Sequence, residues 1–141
     1  MTCEWEQYKD STEEEMKAVY SKIAFDYATN PRNLGDMEDA DGFGRLTGPC
    51  GDTMQIWLKV NGEIIADAAF KTDGCGNAIA SCSMVTEMCK GKAVIDAQKI
   101  GQQDILAALG GLPEEGEHCA LLAADTLKKA IKDYLMVERK P

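Results

Sequence analysis

Two stretches of alternating apolar and polar residues meet at an Asn61-Gly62 pair near the middle of the chain. Alternation with a period of two is typical of a strand that buries one face. Asn-Gly is a strong signal for a two-residue hairpin turn. The expected inward-facing residues of the first strand are Met54, Ile56, Leu58 and Val60, and those of the return strand, over residues 63–72, are Ile64, Ala66, Ala68 and Phe70. The pattern therefore predicts an antiparallel hairpin.

Helical patterns lie on both sides of this hairpin. A capping-box pattern at residues 11–15 and apolar residues at helical spacing predict a helix over residues 12–28, and Asn30-Pro31 ends it. A short strand is predicted near residues 42–47. Three later helices are predicted over residues 77–90, 102–109 and 117–137. The last helix carries a core-facing stripe formed by Ala120, Ala124, Leu127, Ile131 and Tyr134.

This order of elements predicts an α+β fold in which a small three-stranded antiparallel sheet packs against a cluster of helices. A length of 141 residues fits one domain, and an apolar content of 45% is enough for a core without disulfide bonds. Residues 1–10 are expected to be a flexible tail. Residues 11–141 are expected to form the single domain.

The net charge of −9 argues against nucleic-acid binding, which needs basic side chains on phosphates, and against an anionic membrane. A basic protein partner suits the chain better. No apolar run approaches the roughly 18 residues of a membrane span. The first 15 residues are acidic and contain no Arg, unlike a secretory or mitochondrial targeting segment. The chain is therefore expected to be complete, cytoplasmic and prokaryotic.

The chain contains six cysteines, and without a secretion signal they are expected to be reduced thiols. Cys50, Cys75 and Cys119 fall at the ends of predicted elements, beside Gly or His, and are metal-ligand candidates. Cys82 and Cys89 lie seven residues apart in one predicted helix, about 10 Å along its axis, and are expected to be buried apolar residues. Cys3 lies in the tail and is not expected to act in the site.

Two further residues are candidate ligands. Asp52 follows Cys50 by two residues, and His118, the single histidine, precedes Cys119. Three cysteines with one His or Asp would suit either Zn²⁺ or an iron–sulfur cluster. Structural zinc sites usually contain closely spaced CxxC pairs, and none is present. Because the candidates are spread over about 70 residues, the fold must bring them together.

The chain resembles the IscU/NifU-type iron–sulfur cluster scaffold family over residues 19–134. The resemblance depends on Asn30-Pro31-Arg32-Asn33, Cys50-Gly51-Asp52, the run from Phe70 to Ser81, Thr86-Glu87-Met88, Lys90-Gly91-Lys92, Leu112-Pro113 and His118-Cys119. It implies the NifU N-terminal fold. The His118-Cys119 pair is unlike the related SufU branch, and the chain is not expected to carry the additional C-terminal domains of full-length NifU.

The resemblance implies that Cys50, Cys75, Cys119, Asp52 and His118 bind metal and cluster, with Cys119 as the persulfide acceptor. Such proteins are not enzymes. They receive sulfur from a cysteine desulfurase of the IscS/NifS type and electrons from a ferredoxin or another donor. They build a [2Fe–2S] cluster from this sulfur and iron, and pass it to apo-proteins. Zn²⁺ is an alternative occupant of the cluster-free form. Whether a [4Fe–4S] cluster or a homodimer also forms is left open.

Several alternatives stay open at the level of sequence. Asp52 and His118 are interpreted as alternating fourth ligands, because a carboxylate or an imidazole is more easily exchanged than a thiolate. A zinc-binding structural protein would use the same residues. A Cys–His enzyme is disfavoured, because neighbouring helical residues point about 100° apart. Residues 112–116 read Leu-Pro-Glu-Glu-Gly where many family members have the Leu-Pro-Pro-Val-Lys segment recognised by an Hsp70 chaperone, which argues against that interaction.

Overall fold

The computed structural model of the protein describes residues 19–138. The elements run in the order α1 (Lys22–Thr29), β1 (Gly42–Thr47), β2 (Thr53–Asn61), β3 (Ile64–Thr72), α2 (Gly76–Cys89), α3 (Val94–Ala97), α4 (Gln102–Leu109) and α5 (Glu117–Glu138). A 3₁₀ turn, Glu114–Gly116, precedes α5. The predicted tail, the capping box at residues 11–15 and Cys3 lie outside the described residues.

The three strands form one antiparallel sheet in the order β1-β2-β3, which confirms the predicted α+β class. Helix α5 packs closely on the inner face of β1. A Cβ at Gly44 would lie 2.6 Å from the backbone nitrogen of Ala130 and from the carbonyl oxygen of Thr126, so only glycine admits the helix at this distance. All five residues of the stripe predicted on α5 are buried, as expected.

The face assignment of β3 is wrong in its first half. A register shift follows Lys59, which pairs with Asp67, whereas Val60 pairs with Ile65, so Ala66 is an extra residue in β3. Such a bulge moves the following side chains to the opposite face. Ile65 is consequently fully buried and Ile64 is 43% exposed. The assignments of Ala68 and Phe70 to the core are correct.

The hairpin turn lies one residue later than predicted. Asn61 pairs with Ile64, so the two loop residues are Gly62 and Glu63. Gly62 has a φ of +67°, the left-handed value that a tight hairpin turn requires and that glycine adopts without strain.

Helix α1 begins at Lys22, so the prediction of one unbroken helix over residues 12–28 is wrong at Tyr20 and Ser21. The Ser21 hydroxyl accepts a hydrogen bond from the Ala24 N–H at 3.0 Å and donates one to the Leu109 carbonyl. Serine favours such a cap over the helix interior, because its hydroxyl competes for backbone groups. The helix ends before Pro31, as predicted, and residues 12–18 lie outside the described range.

The predicted later helices are all present within a residue or so of their expected bounds. Helix α3 was missed, because its four residues are too few to show a helical period. Between residues 19 and 138, no helix has both the length and the apolar character needed to cross a membrane.

Candidate metal centre

Three separate connections of the fold end at one place and bring Asp52, Cys75 and Cys119 together. Each of these residues offers one ligand-type atom, and the three atoms lie within 4.8 Å of one another. The Cys75 Sγ lies 4.0 Å from the Asp52 Oδ2. Cys75 and Cys119 are fully buried, and Asp52 is 9% exposed. Two thiols and a carboxylate therefore share a small buried volume.

The Asp52 carboxylate has no ion-pair partner among the described residues. Burial of an ionised carboxylate is unfavourable unless a cation or hydrogen-bond donors compensate for it, and buried charges in proteins are usually paired or bind metals. A carboxylate and two thiols can all bind a metal cation through negatively charged atoms. The donor set therefore fits a cation better than it fits an apolar core.

The first connection, between β1 and β2, carries Cys50 and Asp52. The Gly51 N–H donates to the Gly48 carbonyl at 3.0 Å, and the Gly48 N–H donates to the Asp52 carbonyl at 2.8 Å. Gly51 has a φ of +91°, so glycine suits this tight turn. Cys50 is half-buried within the turn. Burial raises the pKa of its thiol, and the neighbouring Asp52 side chain adds to that increase.

The second connection, after β3, carries Cys75 and is fastened to the first. The Thr53 N–H donates to the Asp73 carboxylate at 2.8 Å, and the Thr72 hydroxyl donates to the Thr53 carbonyl at 2.7 Å. A Cβ at Gly74 would lie 2.7 Å from both Cγ and Oδ2 of Asp52, so glycine lets this carboxylate approach the loop.

Cys75 occupies the N-cap position of α2, and its thiol makes no capping hydrogen bond. The N–H groups in the first turn of a helix have no partner within the helix and favour negative charge nearby. This position therefore favours the thiolate form of Cys75, the form that binds metal.

The third connection leads into α5, where Cys119 lies in the first turn. The His118 Nε2 lies 3.7 Å from the Cys119 Sγ, within hydrogen-bonding range for sulfur. The expectation that the helix would separate these two side chains is therefore wrong. The Gln102 side chain donates to the Glu117 carbonyl at 2.9 Å and joins α4 to the beginning of α5.

The five predicted site residues are thus not all equally close to one another. Asp52, Cys75 and Cys119 form the closely spaced group, Cys50 borders Asp52, and His118 contacts Cys119. Their roles as ligands stay predictions.

The remaining described cysteines lie within α2. Cys82 and Cys89 are fully buried, as expected for apolar core residues. Burial raises the pKa of both thiols, that of Cys89 to about 12, so both are protonated at neutral pH. A protonated thiol is a poor metal ligand, and neither belongs to the closely spaced group.

Of three supporting residues, Gly74 was noted from the sequence only as a glycine beside Cys75, and Asn77 and Gly116 were not singled out. Gly74 makes room for Asp52, and Gly116 packs directly on the buried side chain of Asn77. All three lie within two or three residues of a candidate cysteine. Small or amide residues beside such cysteines are the available sequence signal, but the contacts themselves join distant parts of the chain.

Comparisons with known proteins identify the family to which the chain is similar. The model of the NifU-like N terminal domain matches residues 19–140. Iron-sulfur cluster assembly scaffold protein IscU 1 of Archaeoglobus fulgidus is 51% identical over 117 residues, which cover 82% of this chain and 76% of that protein. The IscU scaffold protein of Escherichia coli K12 is 49% identical over 121 residues, covering 82% of this chain and 94% of that protein.

Solved structures share the fold at lower sequence identity. The N-terminal NifU-like protein from Brucella abortus aligns with a TM-score of 0.67 at 19% identity, covering 89% of this chain and 99% of that chain. A putative iron-sulfur cluster assembly scaffold protein for the SUF system, from Fervidobacterium islandicum, aligns with a TM-score of 0.65 at 24% identity, covering 81% and 97%. These likenesses support the fold alone.

Proposed function

The chain belongs to the NifU-like N terminal domain family, and from this membership and the geometry of the site we propose that it is a scaffold for iron–sulfur cluster assembly. It assembles a [2Fe–2S] cluster from iron and sulfur and then transfers the cluster to acceptor proteins. The observation that carries the proposal is the buried group of Asp52, Cys75 and Cys119, whose ligand-type atoms lie within 4.8 Å of one another. The role is that of a scaffold and not of an enzyme.

The proposed ligands are the thiolates of Cys50, Cys75 and Cys119, with Asp52 or His118 as the fourth. A cluster used for electron transfer is usually held by four thiolates. Replacing one thiolate by a carboxylate or an imidazole gives a more exchangeable bond, which suits release. The closeness of Asp52 to two thiols supports its assignment as a ligand. The contact between His118 and Cys119 supports an exchange of Asp52 and His118 as the fourth ligand.

The proposed sulfur route uses Cys119 as persulfide acceptor. A cysteine desulfurase passes its persulfide sulfur to the Cys119 thiolate, and the desulfurase cysteine leaves as a thiolate. Reduction of this persulfide by two electrons breaks the S–S bond, releases sulfide to iron and restores the Cys119 thiolate. The electrons come from ferrous iron and from an external donor of the ferredoxin type. The first-turn position of Cys119 supports this role, because helix N-termini favour thiolate.

The proposed partners follow from this chemistry. A scaffold must meet a sulfur donor and cluster acceptors, and the net charge of −9 favours basic docking surfaces on them. We propose a cysteine desulfurase, a ferredoxin-type electron donor and apo iron–sulfur proteins as these partners. The acidic residues Glu114 and Glu115 argue against binding of the chaperone that reads a Leu-Pro-Pro-Val-Lys segment.

The experiment is anaerobic reconstitution with ferrous iron, L-cysteine, a cysteine desulfurase and dithiothreitol as the external electron donor. We expect visible absorbance of a cluster, with equal bound iron and sulfide, in the wild type and in a Cys82→Ser control. The Cys75→Ser variant should form little or none. A wild-type protein that forms no cluster, while its zinc form is fully stable, would support a structural zinc protein and contradict the proposal.

A further inference from the structure

Asn77 is a fully buried polar residue whose position needs an explanation. It lies in the first turn of α2, two residues after Cys75, and its side chain has no exposed surface. Neither Nδ2 nor Oδ1 of its amide has a hydrogen-bond partner among the described residues. A buried amide without partners destabilises a fold, whereas an apolar side chain of similar size would not. Its presence therefore points to a role other than hydrogen bonding within α2.

The amide packs face-on against Gly116. A Cβ on Gly116 would lie 2.3 Å from Cγ, 2.4 Å from Nδ2 and 2.5 Å from Oδ1 of Asn77. A point at nearly equal distances from three atoms of a planar amide lies over the face of that amide. Gly116 is not among the glycines with positive φ. The close approach to Asn77, and not a strained backbone, therefore accounts for a glycine at position 116.

Gly116 is directly connected to one half of the candidate metal centre. It is buried, ends the 3₁₀ turn before α5, and its N–H donates to the Pro113 carbonyl at 2.7 Å. His118 and Cys119 follow it by two and three residues. The distance between this turn and α2 therefore sets the position of Cys119 in the site.

Asn77 is connected to the other half. Cys75 is the N-cap of α2, and the Ile79 N–H donates to the Cys75 carbonyl at 2.9 Å, which fixes Cys75 to the first turn that carries Asn77. The Asn77 amide and the Gly116 backbone thus join the helix that holds Cys75 to the turn that holds Cys119.

We propose that the Asn77–Gly116 contact is a positioning contact that sets the separation of Cys75 and Cys119. This inference rests on the proposed function, because it assigns the two thiols to one metal site. Asn77 is a positioning residue and does not itself touch metal. A larger residue at position 116 would press on the amide, lift the turn and move Cys119 away from Cys75 and Asp52.

The experiment is an anaerobic titration with Co²⁺, followed by thiolate-to-cobalt absorption, on wild type and on Gly116→Ala, Asn77→Ala and the double variant. Gly116→Ala should weaken Co²⁺ binding by about 10-fold or more and reduce the thiolate absorption, as loss of a residue supporting metal ligands does. In the double variant, the new methyl group fills the space left by the amide. It should therefore bind Co²⁺ more tightly than Gly116→Ala, a non-additive result typical of residues in contact.

The matched control is Gly101→Ala. A Cβ there would meet only Asp104 Oδ2, at 3.8 Å, and Gly101 has a φ of −115°, so Co²⁺ binding should equal that of wild type. Thermal unfolding of the metal-free proteins is measured alongside. If Gly116→Ala does not fold, the double variant decides the matter. A double variant that folds and binds Co²⁺ supports the contact. A double variant that fails to fold or to bind Co²⁺ overturns it.

Two outcomes contradict the inference directly. One is Co²⁺ binding by Gly116→Ala equal to that of wild type. The other is a double variant no better than Gly116→Ala. Failure of the proposed function is distinguishable, because then the wild type itself binds Co²⁺ but assembles no cluster from iron and desulfurase-derived sulfur.

Discussion

Asp52 has surroundings unlike those of an ordinary surface carboxylate. It is 9% exposed, has two buried thiols as neighbours, and has no ion-pair partner among the described residues. Such a group is unfavourable in the metal-free protein and becomes favourable when a cation binds. The same side chain should therefore affect the metal-free and the loaded protein in opposite directions.

Replacement of Asp52 by Ala tests this opposition. The metal-free variant should be at least as stable as wild type in urea at neutral pH, because it removes a buried carboxylate that has no ion-pair partner among the described residues. Its cluster should be lost to a chelator about 10-fold faster, because one ligand is missing. His118→Ala, measured in the same way, shows which of the two residues holds the cluster more firmly. An unchanged cluster lifetime and an unchanged transfer rate in Asp52→Ala would mean that Asp52 has no such role.

At this scale the sequence predicted the candidate ligands better than their supports. Cysteines beside glycine at the ends of predicted elements can be recognised from the sequence alone, as at Cys50 and Cys75. The contact between Asn77 and Gly116 cannot be recognised in this way, because it depends on how the turn before α5 packs on helix α2, which is distant in the sequence. The contact between His118 and Cys119 was judged from ideal helix geometry, which ignores the reach of the imidazole ring.

At the scale of elements, a polar junction joins the segment after α1 to helix α2. Asn33 has a φ of +67°, a left-handed conformation that asparagine tolerates. The side-chain Nδ2 of Asn33 donates to the Glu87 carboxylate at 2.8 Å, and Lys90 Nζ donates to the side-chain Oδ1 of Asn33 at 2.8 Å. The hydrogen bond from Asn33 is the main reason that the pKa of Glu87 is lowered.

Glu87→Gln should remove a pH-dependent contribution of this junction to the stability of the fold. A lowered pKa in the folded state stabilises the fold above the unfolded-state value of about 4.3, and that contribution disappears as the pH falls through the folded-state pKa. The variant should therefore be less stable than wild type at pH 7, by under about 1 kcal/mol for this partly exposed group. The difference should vanish at acid pH, as measured by urea unfolding at several pH values. A difference that is independent of pH would contradict the assignment.

The errors in the predicted elements come from contacts with other parts of the chain. The alternation of β3 was extended through Ala66, but a bulge is a property of the pairing with β2 and leaves no mark in one strand alone. Residues 12–28 have an unbroken helical period, yet Ser21 caps a new helix because its hydroxyl also reaches Leu109. Both depend on a partner elsewhere in the chain.

At the scale of the whole molecule, helix α5 joins the site to the core. It carries Cys119 in its first turn and packs its apolar stripe on the sheet. Leu127 is fully buried in that stripe, whereas Leu121, in the same helix, is 46% exposed. The two leucines therefore separate core packing from helix propensity.

Leu127→Ala should lower the free energy of unfolding by about 2–5 kcal/mol, because it removes buried methyl groups and leaves a cavity. Leu121→Ala should change it by no more than about 0.5 kcal/mol, as is usual for surface positions. Denaturant unfolding of the metal-free proteins measures both. Equal effects of the two substitutions would show that the stripe on α5 is not the core that the structure describes.

The α+β class, the three-stranded antiparallel sheet and the two long helices after it were predictable, because each element carries its own period. The site required the whole fold, since its residues come from three connections that meet only after the sheet and α5 pack together. Spacing alone left the choice between zinc and an iron–sulfur cluster open, and the family resemblance favoured the cluster.

Cluster transfer is the most direct measurement of the scaffold role. The protein is loaded anaerobically with a [2Fe–2S] cluster and mixed with an apo-ferredoxin, and the cluster spectra of both proteins are followed after separation. We expect the acceptor to gain the iron and sulfide that this protein loses, at a rate faster than free iron and sulfide reconstitute the acceptor. A cluster that stays on this protein, or an acceptor that gains it no faster than from free ions, would contradict a scaffold that assembles clusters for release.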